Sequence, residues 1–159
     1  MSDRLDDRER LKELSLLLDA LAARPQDQVI LVEGPRDRGA LKVLGVEGPL
    51  IQVQSRNGLL GIAEELAKEG KSAIILTDWD RKGGQLARLL RQDLRANGVR
   101  FDDELRLRLV LLVKAEIKDI ESLPAFFTRL VSLAQSSEAE RRSKIIRDRK
   151  ARKEYRPKP

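Results

Sequence analysis

Apolar positions along the chain keep two different rhythms. Residues 5 to 23 carry Leu14, Leu17, Leu18 and Leu21 at helical spacing with charges between them, and Arg24-Pro25 closes the segment. This predicts an amphipathic N-terminal helix within residues 1–25. Val29-Ile30-Leu31-Val32 is instead a continuous apolar run ending in Glu33-Gly34, and Ala73-Ile74-Ile75-Leu76-Thr77 is a second one ending in Asp78-Trp79-Asp80. Short runs of this kind, bounded by turn residues, read as strands buried on both faces, as in parallel sheets. Between them, Pro35 can open a helix that turns Leu41, Val43 and Leu44 inward and stops at Gly45. Leu50 to Val53 is a short strand, and Leu59, Leu60, Ile62, Ala63, Leu66 and Ala67 form a helix ending at Gly70. Gly84 to Ala96 is the next helix, with Leu86, Leu89, Leu90 and Leu94, finished by Asn97-Gly98. The alternation from 28 to 98 predicts βαβ units, hence an α/β fold on a parallel sheet.

Beyond residue 101 the rhythm is mixed. Leu105, Leu107, Leu109, Leu111 and Val113 alternate with Arg106 and Arg108 as a strand would, whereas Asp102-Asp103-Glu104 places acids as in the first turn of a helix. Helix is the preferred reading for the first half. Lys114 to Asp119 is a connection or short strand, and Ile120 to Ala134 a last helix with Leu123, Phe126, Phe127, Leu130 and Leu133, Pro124 lying in its first turn. From Gln135 on, apolar residues nearly vanish apart from Ile145 and Ile146. The chain thus divides into the N-terminal helix, a domain over 26–134 and a tail over 135–159, an exposed basic helix or disorder.

Composition narrows the chemistry. With no Cys and no His, disulfides, thiolate nucleophiles and imidazole acid-base catalysis are excluded, so catalysis must use carboxylates, Lys, Arg, hydroxyls or a hard cation. Apolar runs of about five residues fall far short of a membrane span, and the charged N-terminus lacks a signal-peptide core, which predicts a cytoplasmic protein without a membrane partner. The net charge of +6 is unevenly placed: residues 141 to 159 hold ten Lys or Arg against Asp148 and Glu154, leaving 22 basic and 24 acidic residues before them. A basic arm, with Arg141, Arg142, Lys144, Arg147, Arg149 and Lys150, on a near-neutral body suits RNA, DNA or a ribonucleoprotein; the plainer reading is a solvated tail. Only five aromatic residues are present, so single strands would find no stacking platform and binding would be mainly electrostatic.

In a parallel sheet the ligand crevice lies outside the carboxyl ends of the strands, where Glu33, Asp78 and Asp80 would converge. Asp78 and Asp80 are two apart and point to one side of an extended chain, with Trp79 on the other, so both could reach one cation. Mg²⁺, or Mn²⁺ in its place, takes oxygen ligands and is commonly held by one or two carboxylates, water and substrate phosphate. Glu33 could share that ion or act as a general acid or base, and Asp37, one turn into the next helix, could orient the cluster. Arg36, Arg38, Arg56, Arg81 and Lys82 are candidate phosphate contacts. Gly83, with Gly84, either lets backbone N–H groups approach phosphate or simply makes a tight strand-to-helix turn.

Glu33-Gly34-Pro35-Arg36-Asp37 fits E-G-x-x-D and Asp78-Trp79-Asp80-Arg81-Lys82-Gly83 fits D-x-D-x-x-G, and this pair of motifs resembles the Toprim domain of topoisomerases, bacterial-type primases, recombination-repair proteins and small-ribosomal-RNA maturases. The resemblance covers roughly residues 26 to 130 and is greatest to small stand-alone archaeal and bacterial members. It implies a four-stranded parallel sheet flanked by helices, Mg²⁺ at Asp78 and Asp80, and Glu33 as general acid or base in making or breaking phosphodiesters. Asp37 would be a supporting acid; Asp119 and Glu121 resemble a further acidic pair only loosely, and helix capping by Asp119 is preferred. Tyr155, the only tyrosine, lies in the basic tail, which argues against a topoisomerase, and the absence of zinc ligands argues against a primase. The expectation is therefore a Mg²⁺-dependent, nuclease-like protein of RNA processing or DNA repair. The alternative is a non-catalytic, Mg²⁺-assisted nucleic-acid or ribonucleoprotein binding module.

Overall fold

The two continuous apolar runs take the middle of the sheet. The computed structural model describes residues 5–55 and 58–155. Its elements are α1 (Asp7–Ala22), β1 (Gln28–Val32), α2 (Pro35–Val43), β2 (Leu50–Gln52), α3 (Leu59–Glu69), β3 (Ser72–Ile75), α4 (Arg81–Ala96), β4 (Phe101–Asp102), α5 (Glu104–Val113) and α6 (Leu123–Glu154). The strands pair in the order β2-β1-β3-β4, every pair parallel. Ile30 opposes Ile74 and Leu31 opposes Ile75, so β1 and β3 end level with each other. The chain leaves β1 toward one edge and β3 toward the other. Right-handed crossovers then put α2 on one face and α3 and α4 on the opposite face, and the point of reversal falls between β1 and β3, beyond whose ends such sheets place their ligands.

Each face has its own apolar layer. Leu14, Leu17, Leu41, Leu109, Phe126 and Leu130 bring α1, α2, α5 and α6 onto one side, and Ile62, Leu66, Leu90 and Leu94 bring α3 and α4 onto the other. The four leucines expected on the buried stripe of α1 are all buried. α1 runs antiparallel to α6: Leu18 shares a surface groove with Phe127 and Thr128, whereas Arg8 lies beside Arg141 and Ile145. Among the described residues no helix is long and apolar enough to cross a membrane.

Several expectations are corrected. Val43 does not face inward; it is 75% exposed, and Ala40, Leu41 and Val46 fill the space beneath α2. α4 begins at Arg81, three residues before Gly84, because Asp80 caps it. β4 is only two residues long and carries no readable periodicity, yet it is the fourth strand of the sheet. The alternating leucines of residues 105–113 are helical throughout. Leu109 and Val113, four apart, are buried, while Leu107 and Leu111 are 56% and 61% exposed, the cost of a period-two pattern on a helix. The last helix starts at Leu123 instead of Ile120 and does not stop at Ala134. No Gly or Pro interrupts residues 125–156, so the tail continues the helix through Glu154, with every residue from 141 to 155 exposed.

Arg24, which reads in the sequence as a mere helix end, ties the lower edge together. Its guanidinium donates to the carbonyls of Leu21 (2.8 Å), Gln28 (3.1 Å), Glu47 (2.8 Å) and Pro49 (2.8 Å), linking the end of α1 to β1 and to the loop entering β2. Arg24→Met should lower stability by about 2–3 kcal/mol, since it leaves partly buried carbonyls unpaired. Chemical denaturation should show this loss, with an unchanged slope.

Candidate metal centre at the strand ends

Glu33 follows the last residue of β1, and its carbonyl accepts the Gln54 N–H at 3.0 Å, which anchors the chain as it leaves the sheet. Gly34 caps α2, and its N–H donates to Asp37 Oδ2 at 3.0 Å. Asp37 is therefore buried, at 7% exposure, as the group that closes the first turn of α2. A Cβ on Gly34 would stand 2.8 Å from Gln54 Oε1, the far end of a flexible side chain.

The segment after β3 is held more tightly. Thr77 is fully buried, and its hydroxyl donates to the Gly83 carbonyl at 2.9 Å. Asp78 Oδ1 accepts the Ile120 N–H at 2.9 Å, and Asp80 Oδ1 accepts the Gly83 N–H at 2.7 Å as the N-cap of α4. Trp79 packs against the apolar layer under α1; its backbone N–H donates to Lys118 O at 3.1 Å and its Nε1 to Ile117 O at 2.7 Å. Gly83 packs directly on this turn, where a Cβ would fall 2.1 Å from the Asp78 carbonyl oxygen. The glycine of D-x-D-x-x-G is thus required by close approach, in ordinary helical geometry. On the other side Arg106 of α5 donates Nε to Thr77 O at 2.9 Å and Nη2 to Asp78 O at 2.7 Å. Nothing in the sequence distinguished Arg106 from Arg108; only the chain's return over β3 does.

The carboxylates destabilise one another's charge. Burial, then the Asp80 charge, raises the Glu33 pKa, with Asp37 adding to the rise and the Asp78 side chain and Lys82 opposing it. Burial pushes Asp78 up to about 7 despite the Ile120 N–H, with Asp37, Glu33 and Asp119 adding to it. Burial also raises Asp37, helped by Glu121 and Asp119 and opposed chiefly by the Gly34 N–H. Glu33 is 8% exposed and its Oε1 is buried without a hydrogen-bond partner. Burial lowers the pKa of Arg106, which also feels the negative charges of Asp78 and Glu33.

The expected site residues are brought together unequally. Glu33, Asp37 and Asp78 share one electrostatic environment with Asp119, while Asp80 reaches it from an exposed cap. Among the described residues no three acidic side chains stand close enough to hold one ion together. Lys82 acts on Glu33, and Arg81 and Lys82 lie exposed in the first turn of α4. The Gly83 N–H is engaged by Asp80, so its part is steric. Arg36 lies 3.7 Å from Glu121 in an exposed pair, and Arg38 is exposed on α2. Arg56 lies outside the described residues. Asp119 Oδ1 accepts the Ser122 N–H at 2.8 Å and shapes the turn entering α6. The donor set suits a hard cation: an unpartnered buried carboxylate oxygen beside a carboxyl held near neutrality lacks a counter-charge, and Mg²⁺ needs only one or two protein carboxylates.

Residues 28–110 match the Toprim domain. The chain belongs to the Toprim family. UPF0292 proteins are similar over most of its length. That of Methanosarcina acetivorans is 39% identical over 124 residues, covering 78% of this chain and 84% of its own. That of Thermococcus sibiricus is 43% identical over 125 residues, covering 79% and 96%. A solved structure of a protein from Aquifex aeolicus superposes with a TM-score of 0.59 at 26% identity, covering 69% of this chain and 96% of that one. A metal-binding, nucleic-acid-related function goes with the Toprim domain.

Two tests follow from this geometry. Gly83→Ala should cost about 3 kcal/mol or more, because the added methyl meets backbone. Gly84→Ala, with open space around it, should be neutral or stabilise α4 by up to about 1 kcal/mol; equal losses in thermal melts would contradict this account. The second concerns pH. Asp78 binds its proton more tightly folded, at about 7, than at the ordinary 3.8, so from about pH 4 to 7 its contribution to stability falls as pH rises. In EDTA, the wild type should lose more melting temperature than Asp78→Asn between about pH 5 and pH 8.

Proposed function

We propose that this protein is a cytoplasmic, Mg²⁺-dependent, nuclease-like Toprim protein that acts on phosphodiester bonds of RNA or DNA, in RNA processing or DNA repair, with Mn²⁺ able to replace Mg²⁺. One observation carries this reading: Glu33 Oε1 is buried without a partner beside Asp78, whose carboxyl is pushed up to about 7. Such a pair is costly unless a cation completes it. Asp78 and Asp80 each use Oδ1 on a backbone N–H, which leaves a second oxygen on either one for an ion, while Glu33 acts on the pair through its charge and Asp37 holds the turn that follows Glu33. A bound Mg²⁺ would polarise a phosphoryl oxygen and acidify water. Glu33, its pKa raised by burial, suits a group that takes and returns a proton. Arg81 and Lys82, at the mouth of the crevice, would steady phosphate, and the cations of α6 would hold the polymer.

The same structure favours one other reading on a specific point. Asp78 and Asp80 are each committed to a backbone N–H, and no three acidic side chains converge among the described residues. That arrangement suits a non-catalytic, Mg²⁺-assisted nucleic-acid or ribonucleoprotein binding module.

Trp79, bonded to the segment whose Ile120 N–H meets Asp78, is a built-in reporter. Titration with Mg²⁺ or Mn²⁺ should give a saturable fluorescence change that Asp78→Asn/Asp80→Asn abolishes. Single-turnover cleavage of labelled RNA and DNA should then fall by about 10²-fold or more in Glu33→Gln while binding persists. Metal binding without product from any substrate would decide for the binding module.

A further inference from the structure

The helix whose near end abuts the carboxylates carries the basic arm on its far end. Ile120 donates to Asp78, α6 begins at Leu123, and it runs unbroken to Glu154. Residues 123–140 hold Arg129 against Glu138 and Glu140, whereas residues 141–154 hold eight Lys or Arg against Asp148 and Glu154. At a rise of 1.5 Å per residue, those cations lie about 27 to 45 Å along the axis from the start of α6. α1 braces the first half of the helix, and Arg142 is bonded to Glu138 at 3.0 Å. Propagation beyond this braced half needs no new nucleation, and cations at a helix C-terminus are favourably placed in its dipole.

The carboxylate centre, where a bound cation would take phosphate, and the cations of the arm are therefore held a fixed distance apart. That distance is close to one turn of duplex, about 34–36 Å. A duplex is stiff over this length, whereas a single strand is not and is usually gripped by stacked aromatics. The arm carries one aromatic residue, Tyr155. We propose that α6 is a ruler: the protein takes duplex nucleic acid and engages crevice and arm at once only when the duplex extends about 8 to 13 base pairs beyond the crevice. This rests on the metal-assisted nucleic-acid reading of the centre given above.

The test is fluorescence anisotropy with the full-length protein in Mg²⁺, using blunt DNA and RNA duplexes of 6 to 24 base pairs and single strands of equal length. Affinity should rise about tenfold or more between about 8 and 13 base pairs and then level off. Asp78→Asn/Asp80→Asn should weaken only duplexes above the step. Seven helix-forming residues inserted after Ser143 move the arm outward by two turns, and the step should shift up by about three base pairs. Replacing Arg147, Arg149, Lys150 and Arg152 by Gln, with helicity verified by circular dichroism, should erase the step. A step on either duplex supports the ruler and names the polymer. A smooth rise with length that ignores the insertion, or single strands binding as tightly as duplexes, overturns the ruler; the function reading survives that result where the double aspartate variant still weakens Mg²⁺-dependent binding. Arm-driven binding that the aspartate variant leaves unchanged at every length overturns the reading beneath it as well.

Discussion

The position of one peptide group, that of Asp78, governs the rest of the site. Its carbonyl is covered on one side by Gly83, where no Cβ can fit, and bonded on the other by Arg106. With the carbonyl locked, the Asp78 side chain can only turn toward Ile120 N–H and Glu33. The first turn of α4 is locked by the same contact, because Gly83 also supplies the N–H that holds Asp80 and the carbonyl that accepts from Thr77. A single close approach thus sets the directions of both aspartates. The glycine is one of steric exclusion, since none of its contacts calls for a left-handed backbone.

That rigidity has an electrostatic consequence. Flexible carboxylates would swing apart to relieve repulsion, but Asp37 is closed into the α2 cap, Asp78 is bonded to Ile120, and Glu33 is buried. The repulsion is instead expressed as raised pKa values and as an unpartnered oxygen. Fixed donors with unsatisfied charge lower the reorganisation that ligand binding would otherwise require. Arg106 does not neutralise them, because its donors are directed at backbone carbonyls. It sets the shape of the turn and leaves the net negative charge in place.

Those parts of the fold with strong local patterns were legible in the sequence. The buried runs of β1 and β3, the leucine stripe of α1 and the carboxylates at the strand ends all follow from continuous or 3.6-residue periodicity. Parts decided by distant partners were not. β4 has two residues and exists because β3 offers it an edge. Val43 has an inward residue's chemistry but lies outside, since α2 is short and Val46 fills its place. Arg24 and Arg106 bind carbonyls far away in sequence, contacts for which no spacing rule exists. The start of α4 is misplaced for a related reason: in the sequence Asp80 reads as a ligand at a strand end, and in the structure its side chain caps the helix.

Continuity of α6 would join the two halves of the proposed chemistry. A disordered basic tail would attract a polyanion from any direction and impose no geometry on it. A helix braced by α1 and carried past the body keeps its charge at a set distance from the carboxylates, so the entropy of ordering the arm is already lost in folding and is not charged against binding. The near-neutral stretch between them matters as much as the charge itself. Residues 123–140 carry a net charge of −1 and residues 141–154 a net of +6, so the cations are confined to the far end of the helix and a polyanion drawn to them would not be held along its first half.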